Sequence, residues 1–166
     1  FKHSILLHVT PRRHAKSTTY ALLVLWLFTS RENQNIQLIG NAGDHSERVQ
    51  MRPLRGMIRN TPALKKMIPE SDLQRVQINN PHMGNVIQSS NTSMTMAFGD
   101  KLGVLWISDF HACPDTGPYD AMQASLLDTE GSLCLIDSNT DSEGGHVHQL
   151  ELLRENDPGI FCKRIE

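Results

Sequence analysis

The sequence predicts a layered α/β domain, with three layers, α/β/α, built on a mixed, mostly parallel sheet. Three observations point there. Apolar runs of strand length, such as 4–9 (SILLHV) and 102–107 (LGVLWI), are separated by stretches of helical spacing. The run 102–107 passes directly into Ser108-Asp109-Phe110-His111, and polar chemistry at a strand end is where open α/β sheets bind ligands. The 166 residues suffice for one core with little left for a second, so one domain is expected over 1–166.

Each element follows from local chemistry. Residues 4–9 read as a buried strand closed by Thr10-Pro11, because proline removes a ladder donor. The run 20–28 (YALLVLWLF) is a core helix or a second buried strand, since every position is apolar and no period separates the two. Ile36-Gln37-Leu38-Ile39 is a short strand run, and Gly40-Asn41-Ala42-Gly43-Asp44 behind it has loop chemistry. Over 55–68, Met57, Ile58, Leu64, Met67 and Ile68 recur at helical spacing, and Pro62 predicts a kink. Residues 119–127 read as a helix and 133–136 as a strand; 139–145 is a polar loop, 147–153 is strand or helix, and 159–165 is a last short strand. Pro114 to Pro118 is turn chemistry.

Composition narrows the partners. Sixteen Lys and Arg against eighteen Asp and Glu give a net charge of −2, and nucleic acid or an anionic membrane usually selects a basic excess. Neither is expected as a partner. Three cysteines without a CxxC pair argue against a disulfide framework or a zinc knuckle, which favours a reducing, cytoplasmic compartment. The run 20–28 is about half of the roughly 20 residues that span a bilayer. With Lys2, Arg12, Arg13 and Lys16 before it, it could instead be the core of a signal peptide, which leaves a periplasmic or secreted address as the alternative. Phe1 in place of Met marks a fragment, a processed form or an edited chain.

The chemistry concentrates in Arg13-His14-Ala15-Lys16-Ser17, just past the first strand. A neutral imidazole is a competent nucleophile toward phosphorus, and a guanidinium beside it orients phosphoryl oxygens. The clusters Arg12-Arg13-Lys16 and Arg48-Arg52-Arg55 could converge on one phosphate. In order along the chain, Arg13-His14-Ala15-Lys16-Ser17, Arg52-Pro53-Leu54-Arg55-Gly56, the stretch 86–93 (VIQSSNTS) and Val104-Leu105-Trp106-Ile107 before Phe110-His111 resemble the motifs of the histidine phosphatase superfamily, most nearly its small phosphohistidine phosphatase branch. That resemblance implies a metal-independent phosphatase, without cofactor, acting on a phosphorylated small molecule or phosphoprotein through a phosphohistidine. His14 would be the phosphoryl acceptor and His111 a donor to the transferring group, with Arg13, Arg52, Ser89 and Asn91 binding phosphate and Asp109 the leaving-group acid. The chain departs from the pattern where a second arginine is expected, at Met94 or Gly84, and has Phe110 in place of a glycine. A scaffold that has lost the chemistry and binds phosphate or protein is therefore the competing expectation.

Two further constellations stand beside it. Asp109-Phe110-His111, Gly99-Asp100, Gly40-Asn41 and Gly145-His146-Val147-His148 resemble pieces of the binuclear metallophosphoesterase motifs, in the wrong order; His146 and His148 then read as an exposed strand pair. Cys113, near His111 and Asp109, reads as a small packed residue rather than a nucleophile.

Overall fold

The computed structural model describes residues 4–41, 44–91, 102–114, 116–117, 119–120, 126 and 129–165. Its strands are β1 (Ile5–Val9), β2 (Asn35–Gly40), β3 (Gln77–Asn80), β4 (Asn85–Asn91), β5 (Val104–Ser108), β6 (Leu133–Ser138) and β7 (Ile160–Arg164). They form one seven-stranded sheet in the order β3-β4-β2-β5-β6-β1-β7. Every neighbouring pair is parallel except β3 with β4. The expected mixed, mostly parallel sheet is therefore present. The β3–β4 hairpin at its edge is an addition that the pattern of 77–80, short and polar, did not announce.

The pleat sorts residues into two cores, which makes the third layer. On β5 and β6, Val104, Trp106, Leu133 and Leu135 face one core, and Leu105, Ile107, Cys134 and Ile136 face the other. Helices α1 (Lys16–Ser30), α2 (Arg52–Asn60) and α3 (Pro62–Met67) cover the first face. Helix α4 (His146–Leu153), together with Phe110, Tyr119 and Leu126, covers the second. The apolar run 20–28 is thus helical, as the middle of α1. It lacked a helical period because Leu22 and Trp26, more than half exposed, are apolar on the outer face, where they line a groove with Pro53, Met57 and Leu64. Residues 147–153 are likewise helical, so His146 and His148 are half-buried on a helix rather than exposed on a strand. The kink expected at Pro62 is a break between α2 and α3 at Thr61, whose extended backbone is what a following proline imposes. Before α2, Glu47–Met51 forms a π-helical segment that runs straight into it.

Buried polar groups fasten the layers. Asn85 donates to the carbonyls of Phe28 and Arg31 and accepts from the Gln34 backbone, tying the end of α1 to the sheet. Gln50 Nε2 donates 3.0 Å to the Trp106 carbonyl. A Cβ on Gly40 would stand 2.5 Å from the Ser46 backbone nitrogen, so only glycine lets β2 end this close to the following helical segment. Among the described residues, no helix is long and apolar enough to cross a membrane.

Candidate functional site

The connections leave adjacent strands in opposite directions. From β1 the chain turns onto the face of α1, and from β6, its parallel neighbour, onto the face of α4. This divergence opens a crevice at the carboxyl ends of the two strands, the place where open α/β sheets bind ligands. A cavity of about 380 Å3 lies there, lined by residues 12–18, Asp109, Asp137 and Asn139.

Lys16 is one of its lining residues. The side chain is buried, and Nζ donates to the Thr10 carbonyl (2.7 Å), the Pro11 carbonyl (3.3 Å) and Asn139 Oδ1 (2.8 Å). The loop 10–15 wraps around it with Arg13 and Ala15 at φ 72° and 54°, both left-handed. Ala15 is the N-cap of α1, with no side-chain capping bond and no acid in the first turn. The helix therefore presents amide N–H groups and the positive end of its dipole toward the cavity. Burial lowers the Lys16 pKa while Asp137 and Asp109 hold it up.

Two carboxylates face this cation. Asp109, at φ 53° just past β5, has one oxygen 3.2 Å from His45 Nε2. The bond from His45 holds its carboxyl below the usual range despite partial burial. Asp137 is buried at the end of β6, where it accepts from Trp106 Nε1 (2.7 Å) and Ser108 Oγ (3.3 Å). Burial pushes its carboxyl from 3.8 up to about 6, against the opposing pull of Trp106. Folding accordingly takes up a proton between those two values. This contribution is greatest at the acid end, falls as pH rises from about 3.8 to about 6, and stays low above that. Asp137→Asn removes the slope, so at pH 7 the ligand-free variant should exceed the wild type in stability by up to about 3 kcal/mol, with the gain falling to about 0.5 kcal/mol at pH 4. Urea melts at the two pH values check this.

Ala15 gives a second expected result. A non-glycine residue in the left-handed region costs roughly 1–2 kcal/mol, part of which glycine returns as unfolded-state entropy. Ala15→Gly should raise stability by about 0.5–1 kcal/mol, read from the same melts.

The sequence-predicted site residues separate in space. Arg13, His14 and Asp109 line the cavity. His14 is exposed at its rim, its Nδ1 3.2 Å from both the Pro11 and the Arg12 carbonyl. His111 is not among the residues that line the cavity; its Nδ1 lies 3.0 Å from Ser138 Oγ and its Nε2 accepts from Asn139 Nδ2 at 3.4 Å. Asn139 thus joins Lys16 to His111. Arg52 is exposed at the start of α2 and does not line the cavity. Ser89 and Asn91 lie on β4, separated from β1 by β2, β5 and β6, about 19 Å away at normal strand spacing. The second basic cluster is engaged in local pairs: Arg48 with Asp44, and Arg55 with Glu47 and the carbonyls of Gln74 and Arg75. Met94, and the Gly99-Asp100 of the metal constellation, lie outside the described residues; among those described, no three His, Cys, Asp or Glu side chains gather as metal ligands. Cys113 is a buried member of the second core, as expected of a packed residue.

Comparison with known proteins turns on the fold. No protein-family model matches the chain, and no curated protein matches it. Among solved structures, the large terminase of bacteriophage HK97 superposes with a TM-score of 0.83 at 13% identity, over 99% of this chain and 36% of the other. The large terminase of a thermophilic bacteriophage, in complex with ATP-γ-S, gives 0.73 at 13%, over 99% and 39%. The large terminase ATPase domain of Thermus phage P74-26 gives 0.72 at 12%, over 90% and 64%. The chain shares its fold with part of the phage large terminases. The chain spans little more than a third of the first two of these proteins.

The terminase fold overturns the histidine phosphatase resemblance, the phosphatase function built on it and the phosphorylated substrates or phosphoprotein it implied. It also removes the ground for excluding nucleic acid: net charge averages a whole surface and is silent about a few cations gathered in one crevice. The metallophosphoesterase and inactive-module readings gain nothing from it. The shared motifs misled because a strand followed by a basic loop and a helix is common to many α/β folds, and short motifs match by chance. The spacing of residues 10–17 (TPRRHAKS) instead fits the phosphate-binding pattern G-x-x-x-x-G-K-[ST], with Thr10 and Ala15 at the glycine positions hiding the signal. Ala15 does adopt the left-handed backbone that the second glycine would make easy. Asp137, Asn139 and His45 carried no local signal; they reach the site only through the fold.

Proposed function

We propose that this chain, as one domain over 1–166, is a nucleoside-triphosphate-binding and -hydrolysing domain of the large-terminase type. The observation that carries the reading is Lys16, a buried cation at the N-terminus of α1, held by the loop that follows β1 and aimed into a crevice at a topological switch point. Loop amides and the helix terminus suit the phosphate chain, and Lys16 would exchange its carbonyl partners for terminal phosphate oxygens. Complexes of the thermophilic phage terminase with ADP and with ATP-γ-S support the choice of ligand.

Hydrolysis would proceed by attack of water on the terminal phosphorus as the bond to the bridging oxygen breaks, leaving the diphosphate and inorganic phosphate. Lys16 neutralises charge spreading onto the transferred group. Asp109, kept ionised by His45, orients the water and takes its proton. Arg13 and His14, at the rim, are placed to meet the phosphate chain from the solvent side. A divalent cation, the usual companion of such phosphates, would be held by Ser17 and one of the cavity carboxylates, a donor set of oxygens that fits Mg2+. When bound it supplies charge neutralisation at the phosphates. The work this hydrolysis drives would be on nucleic acid, in the cytoplasm, as part of a longer protein or assembly.

The test is direct. The chain should bind ATP-γ-S and release phosphate from ATP, and Lys16→Ala should weaken both. His14→Ala, the variant that would silence a phosphohistidine enzyme, should leave phosphate release largely intact. Wild-type protein that shows neither binding nor release overturns the reading.

A further inference from the structure

Resting on that nucleotide reading, we propose that Asp137 on β6, rather than a carboxylate at the end of β5, anchors the divalent cation that accompanies the nucleotide. In phosphate-loop enzymes the cation is held by the loop hydroxyl and a strand-end Asp. Here β5 ends in Ser108, a residue with no charge to offer. Its register partner across the sheet is Asp137, which is also the partner of His8 on β1. The buried strand-end carboxylate here stands one strand nearer the loop than Ser108. At normal strand spacing Asp137 stands about 4.8 Å from β1, and Ser108 about twice as far.

Three observations bear on the role. The pleat that turns Trp106 and Leu135 to the α1 core turns Ser108 and Asp137 to the same side, the side of Lys16. Asp137 is buried yet lines the cavity with Lys16 and Ser17. Its two oxygens are each held by one donor, Trp106 Nε1 and Ser108 Oγ, which leaves lone pairs on both. Ser108 thus serves as an orienting group for the Asp137 carboxylate, as hydrogen-bond donors behind metal ligands do. Asp109 is otherwise engaged, paired with His45 beyond the strand end. One carboxylate and one hydroxyl suffice, because Mg2+ takes its remaining ligands from phosphate and water. Were Asp137 only an acceptor for Trp106, asparagine would replace it without consequence for the metal.

The experiment titrates ATP-γ-S against wild type, Asp137→Asn and the exchange variant Ser108→Asp/Asp137→Ser, each with Mg2+ and with EDTA, and follows bound Mn2+ by electron paramagnetic resonance in the presence of ATP-γ-S. The expected result is that Asp137→Asn keeps its metal-free nucleotide affinity, loses about 10–100-fold in Mn2+ affinity, and that the exchange variant recovers it. A folded Asp137→Asn whose Mg2+ effect and Mn2+ affinity match the wild type overturns the assignment and leaves the nucleotide reading standing. Wild type that binds no nucleotide under either condition overturns both. If Asp137→Asn does not fold, Asp137→Glu decides: Mn2+ affinity lowered at unchanged metal-free nucleotide affinity supports the assignment, and Mn2+ affinity equal to the wild type overturns it.

Discussion

Lys16→Ala should weaken ATP-γ-S binding by about 10–100-fold, the value of a charge-assisted hydrogen bond to phosphate of roughly 1.5–3 kcal/mol. Hydrolysis should fall further, by about 10²–10³, because the ammonium meets more negative charge in the transition state than in the bound nucleotide. The two readouts therefore split: binding measured by fluorescence titration, and single-turnover phosphate release. A stability measurement guards against a folding artefact. Saturating ATP-γ-S at a hundred times its dissociation constant should stabilise the wild type by about 2.7 kcal/mol and the variant by much less, each read against its own ligand-free melt. Lys16→Arg should not rescue, since Nζ fits between two carbonyls and Asn139 as a compact charge, where a planar fork has no room to place its donors.

Trp106→Ala should cost about 3–5 kcal/mol, the usual loss on emptying a buried aromatic site. The side chain is fully buried, packs edge-on against Tyr20 with ring centres 6.2 Å apart, and links the α1 core to the site through Asp137. Against a total stability of roughly 5–15 kcal/mol, that is enough to bring the domain near unfolding at 37 °C. Trp106→Phe separates packing from polarity. It keeps the ring in the core but leaves an Asp137 oxygen without its donor, for about 1–3 kcal/mol, and the loss should shrink in an Asp137→Asn background. A double-mutant cycle from chemical melts reads that coupling; independent, additive losses would show that the indole nitrogen and the carboxylate do not support each other.

The strands were legible where burial left runs of mostly apolar residues, as in β1, β5 and the first four residues of β6, and the parallel sheet followed from their separation by helical stretches. The site was half legible. The loop after β1 was visible as a cationic turn, and its neighbours Arg13 and His14 do border the cavity. Its centre was misplaced onto His14, because the glycines that normally advertise such a loop are Thr10 and Ala15. A likeness built on motif order then extended the error to Arg52, Ser89 and Asn91, which strand order places elsewhere.

The sequence by itself determined the class of fold and the position of a cationic loop, since both depend on local patterns: apolar runs, proline and glycine, and neighbouring side chains. Only the tertiary structure decided what that loop faces. Asp137, Asn139, His45 and Asp109 come from three segments widely separated along the chain, and they meet because β6 inserts between β1 and β5. Sheet order is set by how whole faces bury against helices, a property of the assembled layers that no window of residues contains.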